Sequence, residues 1–380
     1  MIKEWRRALH ERAETGFALK ETKKYIEEQL KALGCEPKDC GKAGIATIIG
    51  KKTERCVLLR ADMDGLPMYE NTGLPFAAKS GNMHACGHDM HAAMLLGAAK
   101  LLKEKERELR GCVKLLFQPA EEILEGAKDC IEAGVLNDPK PQAAFALHVS
   151  TGGELPTGTI VLSTRETSAP AADYFEIRVK GKSCHGATPH KGIDALVASA
   201  QIVLALQTLP AREQAVENPF VLTVGKLEAG SAGNAIADRA EMQGTLRAYD
   251  EKTRAYIKDR VTEIAKNTAK SLGAKTTVRF LGGCPTLKND LTLVAFAERE
   301  ITRLFGEKSL VKTDGRGGGS EDFAYFSHEV PSLLLVIGAG EKKKGYEYPL
   351  HHPKTDFDES ALSIGSKLLS HLAIEWAGMH

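Results

Sequence analysis

The chain has 380 residues, with 51 Lys and Arg balanced by 50 Asp and Glu for a formal net charge of +1. That length can bury a sizeable core and hold two domains, while the near-zero charge argues against nucleic acid as the main partner and favours a small or weakly anionic substrate. The eight cysteines are scattered without a repeating framework, the first ten residues lack the apolar core of a signal peptide, and no run reads as a membrane span, so a reduced, soluble, cytoplasmic protein is expected.

Hydrophobic periodicity predicts helices near 2–11 and 19–33, strands near 45–49 and 56–60, and a helix near 90–106. Strands follow at 112–118 and 143–148, separated by a helix. This alternation is that of an α/β domain built on a mostly parallel sheet flanked by helices. From about Ala171 the texture changes to an alternating strand, a helix near 193–209, two strands, a long helix near 251–272 and another strand. That βαββαβ order predicts an inserted α+β domain of the split-βαβ, ferredoxin-like type over 171–284. The α/β domain then comprises 1–170 and 285–380. Its second part shows a helix near 290–305, a Gly-rich loop from Gly315 to Gly319, a helix start at Ser320-Glu321-Asp322, a strand from Ser332 to Ile337 and a final helix from about 359.

Within this frame, His84-Ala85-Cys86-Gly87-His88-Asp89 places a thiol, an imidazole and a carboxylate within four positions. The glycine between Cys86 and His88 can turn both side chains toward one point. Thiolate and imidazole together suit zinc or a similar divalent ion. The same letters also describe a small buried thiol beside a histidine at a helix start. The ligand reading gains from its company: Asp62 and Asp64 follow one apolar run, Glu121 and Glu122 another, and His148 closes a third. In α/β sheets ligands gather at the carboxyl ends of strands. A further candidate is Leu350-His351-His352-Pro353, where adjacent side chains in an extended segment would point opposite ways, so that one of the pair faces the metal.

Arg60-Ala61-Asp62-Met63-Asp64-Gly65-Leu66-Pro67, Met83-His84-Ala85-Cys86-Gly87-His88-Asp89, Phe117-Gln118-Pro119-Ala120-Glu121-Glu122, Gly181-Lys182-Ser183-Cys184-His185 and Ser320-Glu321-Asp322-Phe323 together resemble the M20 family of metallopeptidases. The nearest branch is the amidohydrolases that include hippurate hydrolase, N-acyl-amino-acid deacylases and plant indoleacetyl-amino-acid hydrolases. The motifs occur in the family's order over essentially the whole chain. The resemblance implies two divalent ions per subunit, zinc or manganese with cobalt as a substitute, held by Cys86, His88, Glu122, His148 and His351, with the Cys86 thiolate bridging them. It selects His351 over His352 through the Leu-His-x-Pro pattern.

Glu121 is the expected general base, taking a proton from the attacking water and passing it to the leaving amine. Asp62, Asp64 and Asp89 read as groups that orient the ligands, although a histidine stands in place of Asp62 in related branches, which would put Asp62 close to a metal. The inserted domain is implied to close over the site and to dimerise, with His185 supporting the oxyanion in the partner subunit's site. Asn234 and Arg247 match positions expected to hold the substrate carboxylate, a task that suits the planar fork of Arg.

The implied reaction is metal-dependent hydrolysis of the amide bond of an N-acyl or N-aroyl amino acid, releasing a carboxylic acid and an amino acid. The alternatives are a dipeptidase or exopeptidase with the same metal centre and, outside enzymes, a non-catalytic metal-dependent binding protein. The chain departs from many relatives at Ala13-Glu14-Thr15-Gly16, Ala237 and Cys184. None of these removes a candidate catalytic group.

Overall fold

The computed structural model describes residues 1–315 and 317–379, and it divides into two compact units. The first contains Met1–Ser168, Lys288–Gly315 and 321–379; the second contains Ala169–Leu287 and 317–320. Arg316, within the expected Gly-rich loop, lies outside the described residues.

The first unit is built on an eight-stranded sheet in the order Lys38–Cys40, Gly44–Gly50, Cys112–Gln118, Cys56–Asp62, Ala143–Ser150, Ser332–Gly338, Ile160–Ser163, Leu310–Thr313. The four central strands, Cys112–Gln118 through Ser332–Gly338, are mutually parallel, whereas Gly44–Gly50 and Ile160–Ser163 join them antiparallel. Every residue of Cys56–Asp62 and of Cys112–Gln118 is buried, the expected state of parallel strands covered on both faces. Helix His88–Glu104 lies in the core with Met90, Met94, Leu95 and Ala98 fully buried. The sequence misses the strands Lys38–Cys40, Ile160–Ser163 and Leu310–Thr313, which are too short to show a period. It also places a helix start at Ser320, whereas a turn leads there into a four-residue helix, Ala324–Ser327.

Helix Ile2–Glu11 brings two buried cations to Asp89: Arg6 Nε donates at 2.8 Å, and His10 Nδ1 lies 2.8 Å from the same oxygen. The other ring nitrogen of His10 is 3.1 Å from Glu70. Burial pushes the His10 pKa down, but Asp89 and Glu70 outweigh it and lift the value to about 9. A raised value means that this contribution to stability is complete below the unfolded value of 6.5 and is lost as pH rises to about 9. The linkage is on the order of 3 kcal/mol, converting the shift at about 1.4 kcal/mol per unit. The thermal unfolding midpoint is therefore expected to fall across that window, and His10→Gln to flatten this fall.

The second unit is an antiparallel sheet in the order Lys275–Cys284, Ala171–Lys180, Arg239–Ala248, Phe220–Ala229, packed against helices Ala195–Leu206 and Glu251–Ser271. Asp194 and Asp250 cap these helices by accepting from backbone amides. The stretch Ala195–Glu213 spans 19 residues at mean hydropathy 1.2, long and apolar enough to cross a membrane by length and composition only. In the structure it breaks into the α-helix Ala195–Leu206 and a π-helical turn, Leu209–Glu213. Ala195, Ala198, Ile202 and Leu206 fill the core of the unit.

Candidate metal centre

The candidate ligands of the first unit converge because its parallel strands end at one edge. Asp62 ends its strand opposite Gln118, and His148 stands two residues beyond the pair Arg60–Ala146. Glu121 and Glu122 follow Gln118 in a turn between Ala120 and Leu124, both of which take left-handed backbone angles. Cys86 and His88 flank Gly87, whose φ of +86° opens helix His88–Glu104. A side chain at Gly87 would also meet Val149 Cγ2 at 2.3 Å, so glycine is required there on both counts.

Cys86 Sγ lies 3.6 Å from His148 Nε2 and 3.2 Å from His351 Nε2. His88 Nε2 is 3.8 Å from Glu122 and 3.9 Å from Glu121 Oε2, and His351 Nε2 is 3.8 Å from Glu122 Oε2. Two donor triads result, Cys86–His88–His148 and Cys86–Glu122–His351, each with its donor atoms within 4.8 Å of one another, and they share the thiol. His88 Nδ1 is 2.9 Å from the Asp64 carbonyl and His148 Nδ1 is 2.7 Å from the Val149 carbonyl. A carbonyl only accepts, so each ring donates through Nδ1 and keeps the Nε2 lone pair for an ion.

His88 Nε2 and Glu122 Oε1 are buried and have no hydrogen-bond partner. Two unsatisfied donor atoms facing each other at 3.8 Å, beside a thiol, fit divalent cations.

Asp64 ties the arrangement together. Its oxygens accept from the amides of Glu121 at 3.1 Å and Glu122 at 3.3 Å, and its carbonyl holds His88. Asp64→Ala is expected to weaken metal affinity about 10–100-fold, as loss of ligand-orienting partners does, and competition with a chromophoric chelator measures it.

A second buried layer surrounds Arg60. It donates to Asp62 at 2.7 Å, Gln118 at 2.8 Å, Glu321 at 2.9 Å and Asp322 at 2.8 Å, while Gln118 Nε2 donates to both oxygens of Asp322. The carboxylates of Asp62, Asp64, Glu121, Glu122, Glu321 and Asp322 outnumber this guanidinium, a surplus that cations would relieve. Burial, then Glu321 and Asp322, push the Glu121 pKa well above the usual carboxylate range. Burial also raises Glu122, and burial with Glu321 lifts Asp322 to about 8 despite Arg60. Burial would raise Asp62 too, but His88, His91 and Arg60 hold it well below its ordinary value.

The expected histidine pair is not extended. His351 sits at φ +63°, with its amide donating to the Ala85 carbonyl at 2.9 Å, which brings its ring to Cys86. His352 turns away and stacks on Tyr348 with ring centroids 4.4 Å apart.

Asp89 lies behind His88 in the Arg6–His10 cluster already described.

The three substrate-binding candidates of the second unit do not form one cluster. His185 and Asn234 are neighbours: His185 pairs with Ala235, and Gly186 donates to the Asn234 carbonyl at 2.8 Å. Both loops adjoin the Lys180–Arg239 end of the sheet, whereas Arg247 pairs with Ala172 at the other end. Eight residues of strand separate the two ends, about 26 Å at about 3.3 Å per residue.

Sequence reasoning did not single out His91, Arg60, Gln118, Glu321 or Asp322 as site residues. His91 carried a usable signal, lying three positions after His88 on the same helical face. The others are brought together only by the sheet and the turn before Ala324.

The sequence profile of peptidase family M20/M25/M40 matches residues 58–375. The chain is 36% identical over 375 residues to the N-acetylcysteine deacetylase of Bacillus subtilis (strain 168), covering 97% of this chain and 95% of that protein. It is 37% identical over 388 residues to thermostable carboxypeptidase 1 of Saccharolobus solfataricus, covering 99% and 96%. The crystal structure of the Bacillus subtilis YXEP protein, described as a dinuclear metal-binding peptidase of the M20 family, superposes with a TM-score of 0.82 at 33% identity, covering 100% and 98% of the two chains.

Proposed function

The chain belongs to peptidase family M20/M25/M40 and is a hydrolase of amide C–N bonds, and from that premise we propose that it cleaves N-acyl or N-aroyl amino acids to a carboxylic acid and an amino acid. The observation that carries this reading is the pair of donor triads sharing Cys86, with Glu121 beside them. Cys86, His88 and His148 would hold one divalent ion, and Cys86, Glu122 and His351 the other, zinc and manganese being the two favoured metals. When bound, the ions supply Lewis acidity toward the scissile carbonyl and toward water.

The proton transfers fall to Glu121. Its Oε1 is anchored by the Asp322 amide at 3.4 Å, which leaves Oε2, on the His88 side, to take the proton of the attacking water and deliver it to the amide nitrogen as the bond breaks. A carboxyl raised by burial and by Glu321 and Asp322 suits a group that must hold a proton between two transfers. Asp62, Asp64 and Asp89 orient the ligand set through Arg60, His88, His91, His10 and the Glu121–Glu122 amides.

In the second unit, Arg247 would grip the substrate carboxylate. His185 and Asn234, at the other end of the sheet, would serve the site of a partner copy, with His185 supporting the oxyanion. A homodimer through residues 171–284 is supported by the edge position of strand Phe220–Ala229 and by exposed Val221, Leu227, Leu196, Val197 and Leu204. Cys35, Cys40, Cys56, Cys86, Cys112, Cys130 and Cys184 form no disulfide, which suits a reducing cytoplasm.

The relative named as a carboxypeptidase supports a second reading, cleavage of dipeptide-like substrates. The deciding assay offers zinc-, manganese- and cobalt-loaded protein a panel of N-acetyl and N-aroyl amino acids, with one dipeptide in free and acylated form. Release of amino acid from the acylated compounds is the expected result; turnover of the free dipeptide alone selects the second reading, and no release from any compound refutes both.

A further inference from the structure

We propose that His91 is a positioning residue for one of the two metal sites, the Cys86–His88–His148 site, and not a ligand itself. This inference rests on the dinuclear reading above. His91 is 2% exposed, and its ring packs against those of two ligands, with centroids 4.5 Å from His148 and 5.4 Å from His88. Its Nδ1 is 2.5 Å from Asp62 Oδ1, and its Nε2 receives the Val149 amide at 2.9 Å.

A backbone amide only donates, so Nε2 is the accepting nitrogen and the ring proton sits on Nδ1, pointed at Asp62. Both nitrogens are thereby occupied. Although Asp62, His88 and His91 form a group with metal-type donors within 4.8 Å, His91 has no lone pair left for an ion. Asp62 is likewise engaged at both ends, its second oxygen accepting from Arg60 Nη1 at 2.7 Å.

The result is a continuous line from Arg60 through Asp62 and His91 to the amide of Val149, the residue that follows His148. Val149 in turn accepts from His148 Nδ1 through its carbonyl. His91 thus sets the backbone that carries His148 and packs against the ring that must present Nε2 to the ion. Among the described residues, the hydrogen bonds and ring contacts of His91 reach this half of the centre and do not include Glu122 or His351. The asymmetry predicts that the two ions respond differently to its loss.

The test is binding of cobalt(II) alone, followed by chelator competition and by the visible spectrum of the loaded protein. Wild-type protein is expected to take two ions. His91→Phe keeps a flat ring against His148 but removes both hydrogen bonds, and is expected to weaken one ion about 10–100-fold while the other holds its affinity. The cobalt band of the weakened site should disappear at low free metal. His91→Gln, which can return an acceptor to the Val149 amide, should recover part of the loss and serves as the measured variant if His91→Phe does not fold. Unchanged affinity for both ions in the variant measured, or equal weakening of both with the circular dichroism preserved, overturns the proposal. A wild-type protein that binds a single ion overturns the dinuclear reading itself, which distinguishes the two failures.

Discussion

Glu121→Gln should reduce kcat at least about 1,000-fold while leaving two metal ions per chain, a rise in the barrier of about 4 kcal/mol. The substitution is nearly isosteric and retains an oxygen for the Asp322 amide that holds Oε1 at 3.4 Å. What it removes is the capacity of the second carboxyl position to accept a proton. Burial and the neighbouring Glu321 and Asp322 raise the Glu121 pKa, which favours the protonated form that delivers a proton to the leaving amine. Steady-state kinetics with metal analysis on the same sample decides the matter. Activity lost together with an ion would make Glu121 a ligand, and activity retained would move the proton transfers elsewhere.

Cys86→Ala should cost the protein both ions and reduce turnover to background. The thiol belongs to both donor triads, 3.6 Å from His148 Nε2 and 3.2 Å from His351 Nε2, so its loss takes a donor atom from each. Burial pushes the free thiol pKa up, with His88 opposing, so ionisation depends on the cations and their uptake should release a proton. Metal affinity is therefore expected to fall with decreasing pH. Metal analysis of Cys86→Ala after dialysis against a weak chelator provides the check. Loss of one ion with retention of the other would argue against a bridging thiolate and would leave Cys86 as a ligand of one site.

Much of the first unit was legible because its signals are local. The buried central strands read as continuous apolar runs, and the ligand-type residues stand where those runs stop, so the sheet edge carrying Asp62, Glu121, Glu122 and His148 follows from topology alone. The short strands at Lys38–Cys40, Ile160–Ser163 and Leu310–Thr313 were not legible, since three or four residues define no period and their partners are distant in sequence. The apolar run Ala195–Glu213 is legible as a helix near 193–209, but its composition does not reveal that a four-stranded sheet covers one of its faces.

The choice of His351 over His352 shows the same limit at the scale of one residue. Alternation in an extended segment predicts that one histidine faces the site, but the segment bends at a left-handed His351, and its hydrogen bond to Ala85 is what brings that ring to Cys86.

The sequence by itself determined the types of the candidate ligands, their order and their placement at strand ends, because strand and helix periods are written in neighbouring residues. Only the tertiary structure decided that Arg60, Asp62, Glu321 and Asp322 form one buried charge network, that His91 is spent on hydrogen bonds, and that Arg247 lies at the opposite end of its sheet from His185 and Asn234. Those relations depend on which strands become neighbours and in what register. A buried charge takes its partners from whatever the fold brings beside it, at any separation along the chain.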